Sequence, residues 1–503
     1  MTSPGLPALW GYAVVAFMLA VAIHAATRPR ATERGRWHLA LSRLALVGPV
    51  VRGMTRQPLV LFIFKLVFVG VFLLIIASGL YGTPLPARNA ATVLTWNLWW
   101  AGVIVSVLAI GSAWCAVCPW NTLAGWLVKH RLWRRAGRAT SLNLRLPARW
   151  RNVMPALFML IVLTWLELGM GVTLDPFATA LLALLMLVLA TVFMALFGDG
   201  AFCHYVCPVG RTIGFYAQLA PVELRPVDAA VCADCTTLEC YAGSAEVDPC
   251  PTRLVMGRLT QNTYCLSCGN CARSCPHENV AWRLRSPASE AMRDSRPHWD
   301  EAWFMIGLLA LTGFHGLTMI PAWDEAMKGL ARMLGDSRRM LVTFSLVLTA
   351  TLALPLAFYT AMAGLSARLS SGRATLRDRF TRFAFVALPL AFAYHVAHNL
   401  GHLTREGPGL GQVLANPLGI GTLPLSMAEK SARMTHMVLS QNSLFTLQAG
   451  LVALGFVVAM IIARHRLDAR DHGRCQLLPI MFFAFAFSGF HLWLLMQPMA
   501  MRL

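Results

Sequence analysis

Charge is scarce in this chain. Of its 503 residues, 13% are charged and 57% are hydrophobic, whereas soluble domains carry about 25% charged residues. A soluble globular protein is excluded. Acids are scarcer than bases, 23 against 43, leaving a net charge of +20. Nucleotide-binding signals are absent: no G-x-G-x-x-G follows a strand, and there is no P-loop. That argues against NAD(P)H as a direct donor, and no flavin site is visible. The first apolar run lacks a basic n-region and a clear A-x-A cleavage site, so it reads as an anchor and not a cleaved signal.

Long apolar runs take the place of charge. Runs of about 20 apolar residues cross a bilayer as helices. Ten are predicted, near 7–26, 58–80, 92–114, 152–171, 177–197, 302–321, 340–365, 381–402, 444–464 and 477–498. The basic residues gather in alternate loops. Arg28 to Arg56 follow the first run, Lys129 to Arg151 the third, Arg368 to Arg382 the seventh and Arg464 to Arg474 the ninth. The intervening loop 81–91 has only Arg88, and 172–176 has no base. Basic loops stay cytoplasmic. The charge therefore encodes topology and not nucleic-acid binding. Both termini are expected outside, and segment 198–301 in the cytoplasm.

Twelve of the 13 cysteines lie between 115 and 275. Cytoplasmic thiols stay reduced, which favours clusters over disulfides. Cys265, Cys268 and Cys271 are spaced C-x2-C-x2-C, with Cys275-Pro276 following. This is the bacterial ferredoxin run, whose fourth cysteine ligates the other cluster in two-cluster proteins. Cys232, Cys235 and Cys240, followed by Cys250-Pro251, form a stretched second copy. The crossed pattern assigns Cys232, Cys235, Cys240 and Cys275 to one [4Fe–4S] cluster. Cys250, Cys265, Cys268 and Cys271 go to the other. Zinc is the competing reading, but zinc sites usually pair two CxxC motifs. Cys475 stands alone and reads as a small buried residue.

Two further cysteine pairs end apolar runs: Cys115 and Cys118 before Pro119, and Cys203 and Cys207 before Pro208. Each pair falls on one helical face. Together they form an internal repeat that could supply four thiolates to a third centre. They could equally be structural thiols where Pro ends a helix. Lys65 and Glu167 lie within apolar runs, where an ionisable residue is a functional candidate. Glu167, near an outer end with Asp175, would suit a proton acceptor for quinol; an interfacial charge is the plainer reading. Trp96, Trp99 and Trp100 read as interface-belt aromatics.

Histidines gather after residue 301. His395, His398 and His402 share one helical face; His315, His436 and His491 lie on other segments, and Met319, Met434 and Met437 are near some of them in sequence. Such faces suit haem b, copper or quinone. A lone intramembrane histidine is more often a packing residue.

The stretch 58–285 resembles the membrane polyferredoxins of the NapH and NosR type, and more distantly the CcoG type. The shared pattern is two helical hairpins, each closed by a cysteine-proline element, followed by a cytoplasmic ferredoxin module. This chain departs in having C-x2-C-P at Cys115, a stretched Cys232 motif and no preceding flavin domain. The resemblance implies membrane electron transfer serving respiration on nitrogen oxides, through quinol, at a bacterial inner membrane. The CcoG likeness implies an alternative, a redox-active maturation factor that reduces or handles copper for a metalloenzyme. A quinol dehydrogenase-type subunit is the enzymatic reading.

The expected fold is an all-α polytopic membrane protein with an inserted α+β module holding two [4Fe–4S] clusters. Its parts are an anchor and basic loop (1–57), two hairpins (58–200), the ferredoxin module (201–300) and a five-helix, histidine-bearing domain (301–503). Expected partners are lipid, quinone or quinol and a periplasmic or membrane-bound redox protein.

Overall fold

The computed structural model describes residues 2–27, 37–130, 132, 141–336, 339–370, 374–435, 437–467 and 475–500. The chain is mostly helical. Among the described residues, eight helices are long and apolar enough to cross a membrane. They are α1 (Ala8–Thr27), α3 (Pro58–Tyr81), α4 (Ala90–Ile110), α7 (Pro176–Phe197), α12 (Leu341–Arg368), the Leu376–Ala415 segment containing α13 (Ala387–Glu406), α14 (Gln441–His465) and the Cys475–Met496 segment containing α15 (Leu478–Met496). The remaining helices needed here are α2 (Gly48–Arg56), α5 (Pro119–Lys129), α6 (Met154–Gly169), α8 (Pro208–Tyr216), α9 (Asn270–Ser274), α10 (Trp299–Leu317) and α11 (Pro321–Leu334).

Two of the ten expected spans differ. The run at 152–171 becomes the shorter helix α6. The run at 302–321 is α10, which bends by 94° into α11 at Pro321, so the pair counts as at most a ninth span. Proline at the first position of α11 lacks the N–H that would continue α10.

Among the described residues there are five strands: β1 (Thr2–Ser3), β2 (His38–Ala40), β3 (Val222–Pro226), β4 (Val280–Arg285) and β5 (Met499–Ala500). The two ends of the chain meet, with β1 pairing antiparallel to β5. The other sheet runs β2-β4-β3, all antiparallel. Its edge strand β2 comes from the basic loop after the first span, not from the cysteine segment. Arg56 of α2 also pairs with Glu278 at 2.8 Å. The cysteine module is thus stitched to the N-terminal segment.

A buried charge cluster pins this sheet. Glu223 accepts from Arg283 at 2.6 Å, Arg285 at 2.8 Å and Arg225 at 3.3 Å. Glu290 pairs with Arg225 at 2.7 Å and also with Arg285, and takes the Asn262 backbone N–H at 2.8 Å. Burial raises the Glu223 carboxyl, but the guanidiniums of Arg285, Arg225 and Arg283 outweigh it and hold it below the usual range. Behind the sheet, Leu224, Met256, Cys271, Ala272 and Val280 pack together.

Two residues, Arg466 and Glu301, seat the module on the C-terminal bundle. Arg466, just past α14, donates to Ala291 O at 2.6 Å and Ser295 O at 3.0 Å. Its guanidinium lies 3.4 Å above the Phe385 ring centre. Glu301 in α10 accepts from Tyr264 at 2.8 Å and Gln261 at 2.9 Å.

Candidate metal centres and the adjoining cavity

The cysteines of the first expected cluster face one another. Cys232, Cys235, Cys240 and Cys275 line a single small cavity of about 20 Å³. Cys240 lies close enough to Cys232, Cys275 and Cys235 to feel their charge. In the second set, Cys271 feels Cys268, Cys265 and Cys250. Cys271 also feels Cys240 of the first set, so the two sets lie side by side.

Hydrogen bonds to sulfur mark these loops. Leu254 N–H donates to Cys250 Sγ at 3.3 Å, Ser267 N–H to Cys265 Sγ at 3.4 Å, and Asn279 Nδ2 to Cys232 Sγ at 3.3 Å. The Cys235 thiol is held below its ordinary range, first by the Leu238 backbone N–H. Donors aimed at sulfur favour thiolate, the form that ligates iron, and tune cluster potential. The residues present therefore fit [4Fe–4S] groups.

The cysteine-proline pairs come together in the same way. Cys115 and Cys203 pack against Leu266, which follows Cys265 of the second set. Cys115 feels Cys118, Cys207 and also Cys265. Cys203 feels Cys207, Cys118 and Cys115. Cys207 Sγ accepts from Gly210 N–H at 3.3 Å, and backbone N–H groups of Asn121 and Trp120 point at Cys118. Each proline opens a helix, α5 or α8, whose free N-terminal N–H groups face the preceding cysteine. Two close approaches fix the arrangement. Ser112 Oγ meets Ser267 Oγ at 2.8 Å. Gly200, with φ of +71°, abuts Pro251, leaving no room for a Cβ. Among the described residues, no three His, Cys, Asp or Glu side chains converge as a preformed single-ion site. That holds for the ferredoxin cysteines and this quartet alike.

A cavity of about 180 Å³ begins beside the quartet. Trp120 and Pro208, from the two cysteine-proline elements, line its near end. Trp96, Trp99, Trp100, His315, His395, His398 and His402 line the remainder. The tryptophans are thus cavity walls, where the sequence suggested a lipid interface. Two π-helical turns, Val93–Trp99 and Trp165–Gly169, flank the space. Such turns recur at functional sites. The second carries Glu167, whose Oε1 lies 3.0 Å from His315 Nε2. His395 Nδ1 lies 3.2 Å from Tyr216 OH, and His402 Nδ1 lies 3.5 Å from Glu406 Oε1. His491 is not on the wall; it stacks behind on Tyr394, with ring centres 4.2 Å apart. His436 lies outside the described residues.

Lys65 lines a second, polar cavity of about 160 Å³ with Lys129, Asp199, Asp248, Arg273, Cys115 and Cys268. Asp175, the other acid weighed as a quinol-side group, instead caps α7 by accepting from Phe177 and Ala178 N–H. Cys475, expected to be buried, is exposed at the start of a short turn before α15. The amides aimed at Cys118 and Cys207 and the Glu167–His315 pair escaped sequence reasoning. Proline directly after each second cysteine was the one available signal for the amides.

Comparison with known proteins supports this class of site. The family model described as a 4Fe-4S binding domain matches residues 92–136 and 179–220. Those two stretches contain the cysteine-proline quartet and not the ferredoxin cysteines. The chain is therefore a membrane-type helical protein with a 4Fe–4S binding domain. It is also 28% identical over 143 residues to YccM of Escherichia coli (strain K12), whose own assignment to electron transport is provisional. The match covers 27% of this chain and 38% of that relative's length. No solved structure matches.

Proposed function

We propose that this chain is an iron–sulfur electron-transfer protein of a bacterial inner membrane that exchanges electrons with quinol. The carrying observation is contiguity. Cys265 of the second cluster set neighbours Cys115 of the quartet, and the quartet abuts a cavity that runs from Trp120 and Pro208 to Glu167 and His315. The 4Fe-4S match and the name of the Escherichia coli relative support the same reading.

The residues divide the work. Cys232, Cys235, Cys240 and Cys275 hold one cluster, and Cys250, Cys265, Cys268 and Cys271 the other. Cys115, Cys118, Cys203 and Cys207 hold a third iron–sulfur centre. When bound, these clusters accept single electrons. The cavity's aromatic wall stacks the quinol ring and excludes water. Quinol becomes quinone by losing two protons and two electrons. Glu167 accepts these two protons one at a time, passing each to water before the next, and His315 holds that carboxylate in place. A hydrocarbon core about 30 Å thick is too wide for one electron step, so a relay needs intermediate sites. Electrons pass to a redox protein at the membrane surface, of the class serving nitrogen-oxide respiration.

The test is anaerobic mixing of the purified protein with a short-chain quinol while cluster absorbance is followed. Bleaching that Glu167→Gln slows supports the reading. No bleaching at any quinol concentration contradicts it.

A further inference from the structure

We infer that the bundle end opposite the ferredoxin module carries a phosphate-type oxyanion site built on Arg405. The observation is an uncompensated charge. Arg405, in the last turn of α13, is 6% exposed. Its Nε has no hydrogen-bond partner, and among the described residues it forms no ion pair. A buried cation without a partner is among the costliest features a fold can carry. A polar charge within a span marks a site by default.

The guanidinium lines a niche of about 20 Å³ with Ser3, Gln448, Gln497, His398 and His402. The paired end strands β1 and β5 bring Ser3 and Met499 to its rim. Gln448 and Gln497 are each committed to one carbonyl, Ala397 O at 3.0 Å and Trp493 O at 3.3 Å. Each amide also has a second N–H to offer. The fork of a guanidinium matches two oxygens of a phosphate. Met319, Met499 and two histidines also border the niche and would by themselves suit Cu(I). The fixed positive charge of Arg405 disfavours a cation there and selects an anion.

Position gives the site its use. Arg405 lies in the last turn of α13, at the end of the bundle where β1 and β5 pair. His398 and His402 form a wall shared with the large cavity. A bound phosphate would compensate Arg405 and steady the helix face that lines that cavity. The site stands whether or not the cavity takes quinol.

The test compares wild type, Arg405→Met and Arg405→Lys, each purified in detergent. Organic-extractable phosphorus per chain is measured, and thermal unfolding is followed with and without inorganic phosphate. The site predicts either about one tightly held lipid phosphorus per chain, or a melting temperature raised by inorganic phosphate. The first outcome identifies a lipid head group and the second a free anion. Either is lost in Arg405→Met and partly kept in Arg405→Lys. If Arg405→Met binds as much phosphorus as wild type, or is more stable than wild type in phosphate, the proposal is overturned. Quinol-dependent bleaching in Arg405→Met separates this outcome from failure of the quinol reading.

Discussion

Replacing Glu223 with Gln should loosen the cluster module without touching a cluster ligand. The side chain is 4% exposed and meets three guanidiniums, of which Arg225 and Arg285 are similarly buried and Arg283 is 20% exposed. Removing one partner of a buried ion pair costs about 3–5 kcal/mol. Arg225 and Arg285 retain Glu290, and Arg283 can turn to water, so the lower end, about 3 kcal/mol, applies. That is roughly a hundredfold in the unfolding constant. The assay is urea titration of the anaerobic protein, followed by loss of cluster absorbance. The carboxyl is depressed in the folded state. Its contribution is therefore present above the unfolded value of about 4.3 and is lost as pH falls through the lower folded value. Wild-type stability should drop below that pH more steeply than that of the Gln variant. A variant within 1 kcal/mol of wild type at pH 7 would refute the clamp.

Three other outcomes follow from the site. Glu167→Gln should slow quinol-driven bleaching by about 10²–10⁴-fold, the usual weight of a positioned base, with iron content unchanged. Cys265→Ser should remove one cluster's share of iron and sulfide, and EPR of the reduced protein should lose one signal. Cys475→Ser should leave iron content and melting temperature as in wild type, since the thiol is exposed and apart from the other cysteines.

The sequence made the chemistry legible where a motif fixes spacing. C-x2-C-x2-C with a following Cys-Pro is a local pattern and needs no long-range information to be read as an iron–sulfur motif. The membrane character was equally plain, because apolar length is a local property. Features that depend on distant partners were hidden. Glu167 and His315 are 148 residues apart, and nothing local marks them as a pair. Strand β2 has three residues, too few for a period, and only its pairing with β4 defines it. Helix α6 and the bent α10–α11 pair were overcounted as simple spans, since composition does not report a π-helical end or a sharp turn. The tryptophans at 96, 99 and 100 carry the composition of an interface belt, and packing alone turned them inward.

The central claim is that electrons pass from quinol in the cavity to the ferredoxin clusters through a third centre. The most direct measurement is iron and acid-labile sulfide per chain, counted anaerobically in wild type and in the Cys118→Ser/Cys207→Ser double variant. The account predicts more than the about eight irons of two [4Fe–4S] clusters in wild type, and a return to that number in the variant with both ferredoxin EPR signals intact. About eight irons in both proteins would contradict it.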